Sequence, residues 1–297
     1  MRFDFKQHRC LALISPRNLP YLEVYRNVLG PGFAGFTAIM PRGPAHLHEV
    51  VASSHGNYPL VMVIGGDGTV NQAIQKLDTS EQTLVVLPGG TGNDFARGLG
   101  MPRGLRRFAR AMARMEPRPV DLWRCGSRRF INSVGIGLDA QVLASMQARP
   151  GWVSRNYVAA FLRKLPSLER TTVRAVGGEG VICDGDIWWL VALNTGLVGG
   201  GLRLSPEAKL DDGLLDIVVI QGGSRITLMR KLPLLLGAKH LGDPHFLLRR
   251  EAAFEAEGWP IPLALEVDGE LQLVLSERLQ FTHAGKLNVV CSVEDRP

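Results

Sequence analysis

The chain has 297 residues, is 45% hydrophobic and 21% charged, and carries a formal net charge of +6. These values fit a folded soluble protein long enough for two domains. No apolar run approaches the roughly 18 residues that span a bilayer, since the longest, at 188–193 and 232–238, are broken by Asn194 and Pro233.

Residues 10–14 are too brief for a secretory signal, and Asp4 interrupts what precedes them. Cys10, Cys125, Cys183 and Cys291 show no C-x-x-C spacing, and three of them sit in apolar, strand-like segments. They read as buried free thiols in a cytoplasmic protein rather than a disulfide framework or a zinc site. Residues 1–122 hold 14 Lys/Arg against 9 Asp/Glu, and residues 123–297 hold 20 against 19. The excess charge of the first part suits an anionic nucleotide or an anionic membrane surface.

In chain order, residues 10–14, 35–39, 60–64 and 83–87 are short apolar runs bounded by turn residues, with helical patterning at 19–29, 46–53 and 70–76. This alternation predicts a doubly wound α/β domain, a parallel sheet covered on both faces. After Asp121 the pattern changes. Strands are predicted at 130–134, 172–176, 188–193, 215–220, 263–267 and 271–275, with helices at 153–165 and 225–240. That half reads as an antiparallel β-domain, a sandwich with one or two helices across it. The last apolar run, 287–293, lies beyond those strands and is expected to return to the first domain. The predicted domains are 1–122, completed by 280–297, and 123–279.

Residues 64–71 read Ile-Gly-Gly-Asp-Gly-Thr-Val-Asn and follow an apolar strand. Glycines without Cβ, then Thr69 as a predicted N-cap, would let backbone N–H groups and a helix start converge on a phosphate. Asp67 makes the turn unusual, because a carboxylate beside a polyphosphate needs a metal ion, a proton or an acceptor hydroxyl. That combination points to phosphoryl transfer. A second turn, Pro88-Gly89-Gly90-Thr91-Gly92-Asn93-Asp94, also follows a strand. Both turns fall at the carboxyl ends of parallel strands, where ligands of such sheets collect.

Gly-Gly-Asp-Gly-Thr, followed about twenty residues later by Pro-x-Gly-Thr-x-Asn-Asp-Phe-Ala-Arg, resembles the diacylglycerol kinase catalytic-domain family, and above all its soluble bacterial lipid kinases, which are related to sphingosine kinases and more distantly to NAD kinases. The resemblance continues through Asp121, Asn132, Gly135 to Ala140, Asn194, Asp211-Asp212-Gly213 and Asp268-Gly269-Glu270. It implies an active site in an interdomain cleft. ATP would be lined by Gly65, Gly66, Asp67, Gly68, Thr69, Val70, Asn71, Gln72, Gly90, Thr91 and Asn93. Glu270 would be the proton acceptor for a lipid hydroxyl, with Asp268 beside it, and Asp67, the third catalytic residue, would sit at the phosphates and their metal. A structural Mg2+ would be held by the Asp212 carboxylate and the backbone carbonyls of Lys209 and Leu214, an oxygen set that hard cations favour. Three positions depart from the family pattern: Ser15-Pro16-Arg17-Asn18 replaces an Asn-Pro loop, Ile39 or Met40 replaces a threonine, and Gln72 replaces a glutamate.

The reading is therefore an ATP-dependent, Mg2+-using kinase that phosphorylates a diacylglycerol-like lipid at a membrane surface, with the acyl chains in an apolar pocket that includes residues 232–236. The alternatives are a kinase for a soluble acceptor such as NAD and a catalytically silent lipid- or nucleotide-binding regulator. Nucleic acid binding is disfavoured, and a homodimer is left open. The Gly135-x-Gly-x-x-Ala fingerprint is read as a decoy because no clear helix follows it. His46 and His48 are read as surface or capping residues. The arginines between Leu105 and Met115 form the polar face of an amphipathic helix that either faces water or docks on anionic lipid, and residues 152–165, with Arg155, Arg163 and Lys164, offer a second such surface.

Overall fold

Residues alternating between turn formers and β-branched or aliphatic runs build the first part of the chain. In the computed structural model, which describes residues 4–148 and 157–292, the chain divides into two units, Met1–Leu122 with Gly285–Pro297, and Trp123–Ala284. The first unit holds β1 (Arg9–Ile14), β2 (Gly35–Ile39), β3 (Leu60–Gly65) and β4 (Thr83–Pro88). They pair in parallel in the order β2-β1-β3-β4. All six residues of β3 are buried, as a central strand covered on both faces requires.

Its helices are α1 (Leu22–Leu29), α2 (Pro44–Ser53), α3 (Asp67–Ile74), α4 (Asp94–Gly98) and α5 (Leu105–Ala111). The expected helix at 19–29 is split, because Pro16 to Tyr21 wind as a tighter 3-10 turn with Pro20 inside it. His46, in the first turn of α2, accepts the Arg42 N–H at its Nδ1 at 3.0 Å, just outside the Gly43 N-cap. In α5, Phe108 faces the core and Arg106 and Arg107 face water. This helix therefore presents charge without an exposed apolar anchor.

The chain passes between units within β5 (Met115–Cys125) and β17 (Arg278–Ser292). The end of β17 pairs in parallel with β4, Asn288 opposite Thr83 and Val289 opposite Leu84. Residue 293 of the predicted terminal run lies outside the described residues, as do Trp152 and Arg155 of the second candidate surface.

The second unit contains β6 (Arg128–Phe130), β7 (Ser133–Gly137), α6 (Leu138–Ala148), α7 (Tyr157–Lys164), β8 (Thr171–Gly177) and β9 (Gly180–Leu193). The short pair β10 (Leu197–Val198) and β11 (Leu202–Arg203) follows, then β12 (Leu215–Gln221), α8 (Arg225–Leu236), β13 (Phe246–Glu251), β14 (Ala253–Glu257), β15 (Leu263–Val267) and β16 (Glu270–Val274). Its ladders are antiparallel. The long strand β9 is the hub, bound to β7, β8 and β12. Alternation along β12 sends Leu215, Ile217 and Val219 into the sandwich core and Val218 and Ile220 into a second core. That second core is roofed by α6, α7 and α8 through Val142, Ala160 and Leu228.

Three sequence expectations are corrected here. The strand predicted at 130–134 is broken at Ile131 and Asn132, whose backbone N–H groups bond a carboxylate instead of a neighbouring strand. A helix, α6, does follow the Gly135 fingerprint. The fingerprint is nonetheless structural, because β7 runs antiparallel to its neighbours and no βαβ unit forms. The helix predicted at 225–240 stops at Leu236, with Gly237 as its C-cap and Ala238 at φ 52°.

The fingerprint's glycine exists to make room for Asp139. A Cβ on Gly135 would lie 1.7 Å from Asp139 Oδ2. That carboxylate is buried, and its Oδ2 has no hydrogen-bond partner among the described residues. The Trp189 indole N–H favours the ionised form, yet its nitrogen is also unpartnered. Burial pushes the Asp139 carboxyl up to about 7. The folded state then holds a proton that the unfolded chain has released, so this group's contribution falls as pH rises from the ordinary carboxylate range to about 7. Asp139→Asn, which keeps the shape, is expected to stabilise the fold by a few kcal/mol, to order of magnitude, above neutral pH and by little in acid. Urea melts at the two pH values check it.

Candidate active site

Two glycine turns meet at the carboxyl ends of β3 and β4. The strands are in register through Ile64 opposite Leu87 and Gly65 opposite Pro88, and Gly89 N–H donates to Gly65 O at 2.8 Å. Beyond that bond the backbones press together. A Cβ on Gly90 would stand 2.4 Å from Gly66 Cα, and one on Gly66 would stand 3.0 Å from Gly90 Cα. No side chain fits at Gly90 without moving backbone. Asn93, at φ 55°, closes its own turn, accepting from Gly90 N–H at 2.8 Å and donating to Gly90 O at 2.9 Å.

Asp67 fastens the first turn to the second. Its Oδ2 accepts the Asp94 N–H and its Oδ1 the Phe95 N–H, both at 3.1 Å, at the start of α4. Burial raises its carboxyl above the ordinary value, against the lowering effect of those backbone N–H groups. Asp67 is also the first residue of α3, and Gly66 is the N-cap. The prediction that Thr69 caps this helix is therefore corrected. Thr69 lies inside the first turn, where its side chain fills the space over Gly65, whose Cβ would be 2.8 Å from Thr69 Oγ1. Gly68 shares that turn. Val70, Asn71 and Gln72 are buried, and Gln72 Oε1 meets His48 Nε2 at 3.1 Å.

The departing loop supplies two residues that sequence reasoning did not place at the site. Buried Asn18 donates from Nδ2 to Ser15 Oγ at 2.7 Å, Gly89 O at 3.2 Å and Ile64 O at 3.4 Å. It ties the ends of β3 and β4 to the loop after β1. Arg17 Nη1 donates to Thr91 Oγ1 at 2.9 Å and brings an exposed positive charge to the rim of the turns. The available signal was position, since both follow the first parallel strand on the ligand edge of the sheet.

In the second unit, β15 and β16 form a hairpin in which Val267 pairs with Glu270. Asp268 and Gly269 have φ of 47° and 83°, the two left-handed residues of a two-residue turn. The Asp268 carboxylate is buried and accepts three backbone N–H groups, from Ile131 at 3.0 Å, Asn132 at 2.8 Å and Ser133 at 2.9 Å. Asn194 braces the same stretch, donating to Ile131 O at 2.8 Å and accepting from the Trp123 indole at 3.1 Å. Glu270, two residues on, keeps its carboxylate partly exposed and accepts from Arg128 Nη2 at 3.0 Å. The two acidic residues thus have different surroundings: Asp268 is locked into backbone, and Glu270 reaches the surface.

The loop expected to hold a metal lies before β12. Asp212 Oδ1 accepts the Leu214 N–H at 3.1 Å, and Arg250 stands 3.5 Å from Asp212 Oδ2 and 3.2 Å from Asp216 Oδ1. Asp216 Oδ2 is buried without a partner among the described residues. Its carboxyl is raised by burial, opposed by Ser205 and Arg250. Among the described residues no three His, Cys, Asp or Glu side chains converge as a metal cluster. An oxygen set of one carboxylate and the carbonyls of Lys209 and Leu214 is nevertheless chemically suited to a hard divalent cation.

Comparison with known proteins supports a common origin. The family described as the diacylglycerol kinase catalytic domain matches residues 21–125, and that described as the YegS C-terminal NAD kinase beta sandwich-like domain matches residues 132–291. A diacylglycerol kinase of Bacillus subtilis is 30% identical over 207 residues, 67% of each chain. A diacylglycerol kinase of Mycobacterium tuberculosis is 33% identical over 211 residues, again 67% of each. In fold, a diacylglycerol kinase from Bacillus anthracis has a TM-score of 0.74 at 20% identity, covering 97% of this chain and 98% of that one. An NAD kinase from Archaeoglobus fulgidus in complex with ATP reaches 0.55 at 10% identity, covering 96% and 94%. The chain belongs to the diacylglycerol kinase and YegS-like lipid kinase family, and is a kinase.

Proposed function

We propose that the chain transfers the γ-phosphoryl group of ATP to the hydroxyl of a diacylglycerol-like lipid. The observation that carries this reading is the approach of Gly66 to Gly90, which leaves bare backbone at the start of α3, bounded by Thr69 and Thr91. Backbone N–H groups so arranged bind phosphate oxygens through hydrogen bonds and the helix dipole. Arg17 adds positive charge beside Thr91. Asp67 holds the two turns together, and its carboxylate would be the one offered to the Mg2+ that travels with ATP. Gly65, Gly68 and Asn93 shape the cradle, and buried Val70, Asn71 and Gln72 fix α3 behind it.

Glu270 is the proton acceptor in this reading, because its carboxylate is partly exposed. Asp268 serves by positioning: its three N–H bonds hold the hairpin that aims Glu270. The transferred group passes through a loose transition state, so positioning and neutralisation contribute more than the base. A cation at Lys209, Asp212 and Leu214 would brace the loop before β12.

Glu270→Gln is expected to lower transfer from labelled ATP to diacylglycerol by about 10²–10⁴-fold, with nucleotide binding retained. Asp67→Ala is expected to abolish it. Transfer to NAD but to no lipid would instead support the soluble-acceptor alternative, and ATP binding without transfer to any alcohol would support a silent regulator. Gly90→Ala should leave a folded protein whose melting temperature no longer rises on adding ATP, whereas the wild type rises with ligand concentration. A wild-type-sized shift in that variant would contradict the backbone cradle.

A further inference from the structure

We propose that Arg128 is a positioning residue for the transfer step, its guanidinium fixing the Glu270 carboxylate in the orientation that accepts the hydroxyl proton; this rests on the reading of Glu270 as proton acceptor. Arg128 opens β6 and stands opposite Cys125 on β5, with Gly126 at φ 57° in the turn between them. The Gly126 N–H donates to Gln280 O at 3.0 Å, which ties this hairpin to β17. Two residues on, and so on the same face of the strand, Phe130 is buried in the sandwich core against Phe281. Arg128 therefore leaves a strand held in register, and its Nη2 donates to Glu270 Oε2 at 3.0 Å.

Glu270 is held from two directions by one stretch of chain. The chain leaving β6 runs straight into Ile131, Asn132 and Ser133, whose N–H groups bond the Asp268 carboxylate. Asp268 and Glu270 flank Gly269 in one tight turn, so that clamp fixes the backbone from which Glu270 projects. A glutamate side chain still has several rotatable bonds, and a fixed backbone does not aim its carboxylate. The contact at its tip comes from Arg128. Arginine suits the task, because its donors form a rigid planar fork and its charge is permanent. A carboxylate has two oxygens with several lone pairs, so a donor on Oε2 leaves the group able to take a proton. The two side chains are 26% and 29% exposed, and a pair this accessible to water contributes little to stability. Its consequence is orientation.

Transfer by the full chain from labelled ATP to a short-chain diacylglycerol in detergent micelles tests it, with kcat and KM measured separately. Arg128→Met is expected to lower kcat on the order of 10–100-fold, as a misplaced reacting group does, with the KM for ATP unchanged. Arg128→Lys, which keeps the charge without the fork, should recover part of the loss. Both variants should melt close to the wild type. A double-mutant cycle supplies the sharpest comparison. In the Glu270→Gln background, adding Arg128→Met should change transfer by less than about twofold, because a residue that acts through Glu270 has nothing left to act on. Full activity of Arg128→Met beside a strong loss in Glu270→Gln overturns the proposal and leaves the base assignment standing, and additive losses in the cycle do the same. Full activity of Glu270→Gln overturns the base assignment and the positioning role with it. A raised KM for ATP with kcat intact would place Arg128 at the nucleotide and overturn the role equally. Should Arg128→Met melt early, Arg128→Lys carries the same cycle.

Discussion

The contact between Gly66 and Gly90 is the constraint on which the first unit's chemistry rests. Two parallel strands end side by side, and their turns approach until backbone meets backbone. Such closeness would leave the turns free to splay, were it not for Asp67. By accepting the Asp94 and Phe95 N–H groups, it holds the start of α3 against the start of α4. The two buried faces of the sheet keep the strands from sliding, and Asn18 stitches their ends to the first loop. A cradle of rigid backbone is thus assembled from a few glycines, two short polar side chains and one carboxylate.

The second unit solves a similar problem by the same physical means. Asp268 sits in a left-handed turn that positions its carboxylate beneath three consecutive N–H groups. An acceptor-only group satisfying several buried donors is a strong local fastener. The cost of interrupting the strand at Ile131 and Asn132 is offset by those bonds. Glu270 is then displayed at the first position of β16 by a rigid hairpin. Both units therefore use a buried aspartate to fix backbone.

Much of this was legible in the sequence. Apolar runs closed by Gly or Pro marked the four parallel strands to within a residue or two, because a central strand must be apolar throughout. The glycine turns stood out because two of them close neighbouring parallel strands, whereas Asp268-Gly269-Glu270, a common hairpin sequence, stood out chiefly through the family resemblance. What escaped were features decided by tertiary partners. The break at Ile131 depends on an aspartate 137 residues away. Helix α6 has a weak amphipathic pattern, since Leu138, Asp139, Ala140 and Val142 are all buried. Thr69 looked like a cap by residue type, yet Gly66 supplied the extended backbone and Thr69 was needed to fill the space over Gly65. Arg17 and Asn18 looked like a mere departure from a family pattern until their bonds were seen.

The central claim, that bare backbone at the paired glycine turns holds a triphosphate, is tested most directly by amide hydrogen exchange with and without ATP and Mg2+. Slower exchange confined to the amides of Gly66, Gly68, Thr69 and Thr91 is the predicted result. Unchanged exchange at those amides, with protection elsewhere in the chain on saturation with nucleotide, would contradict it.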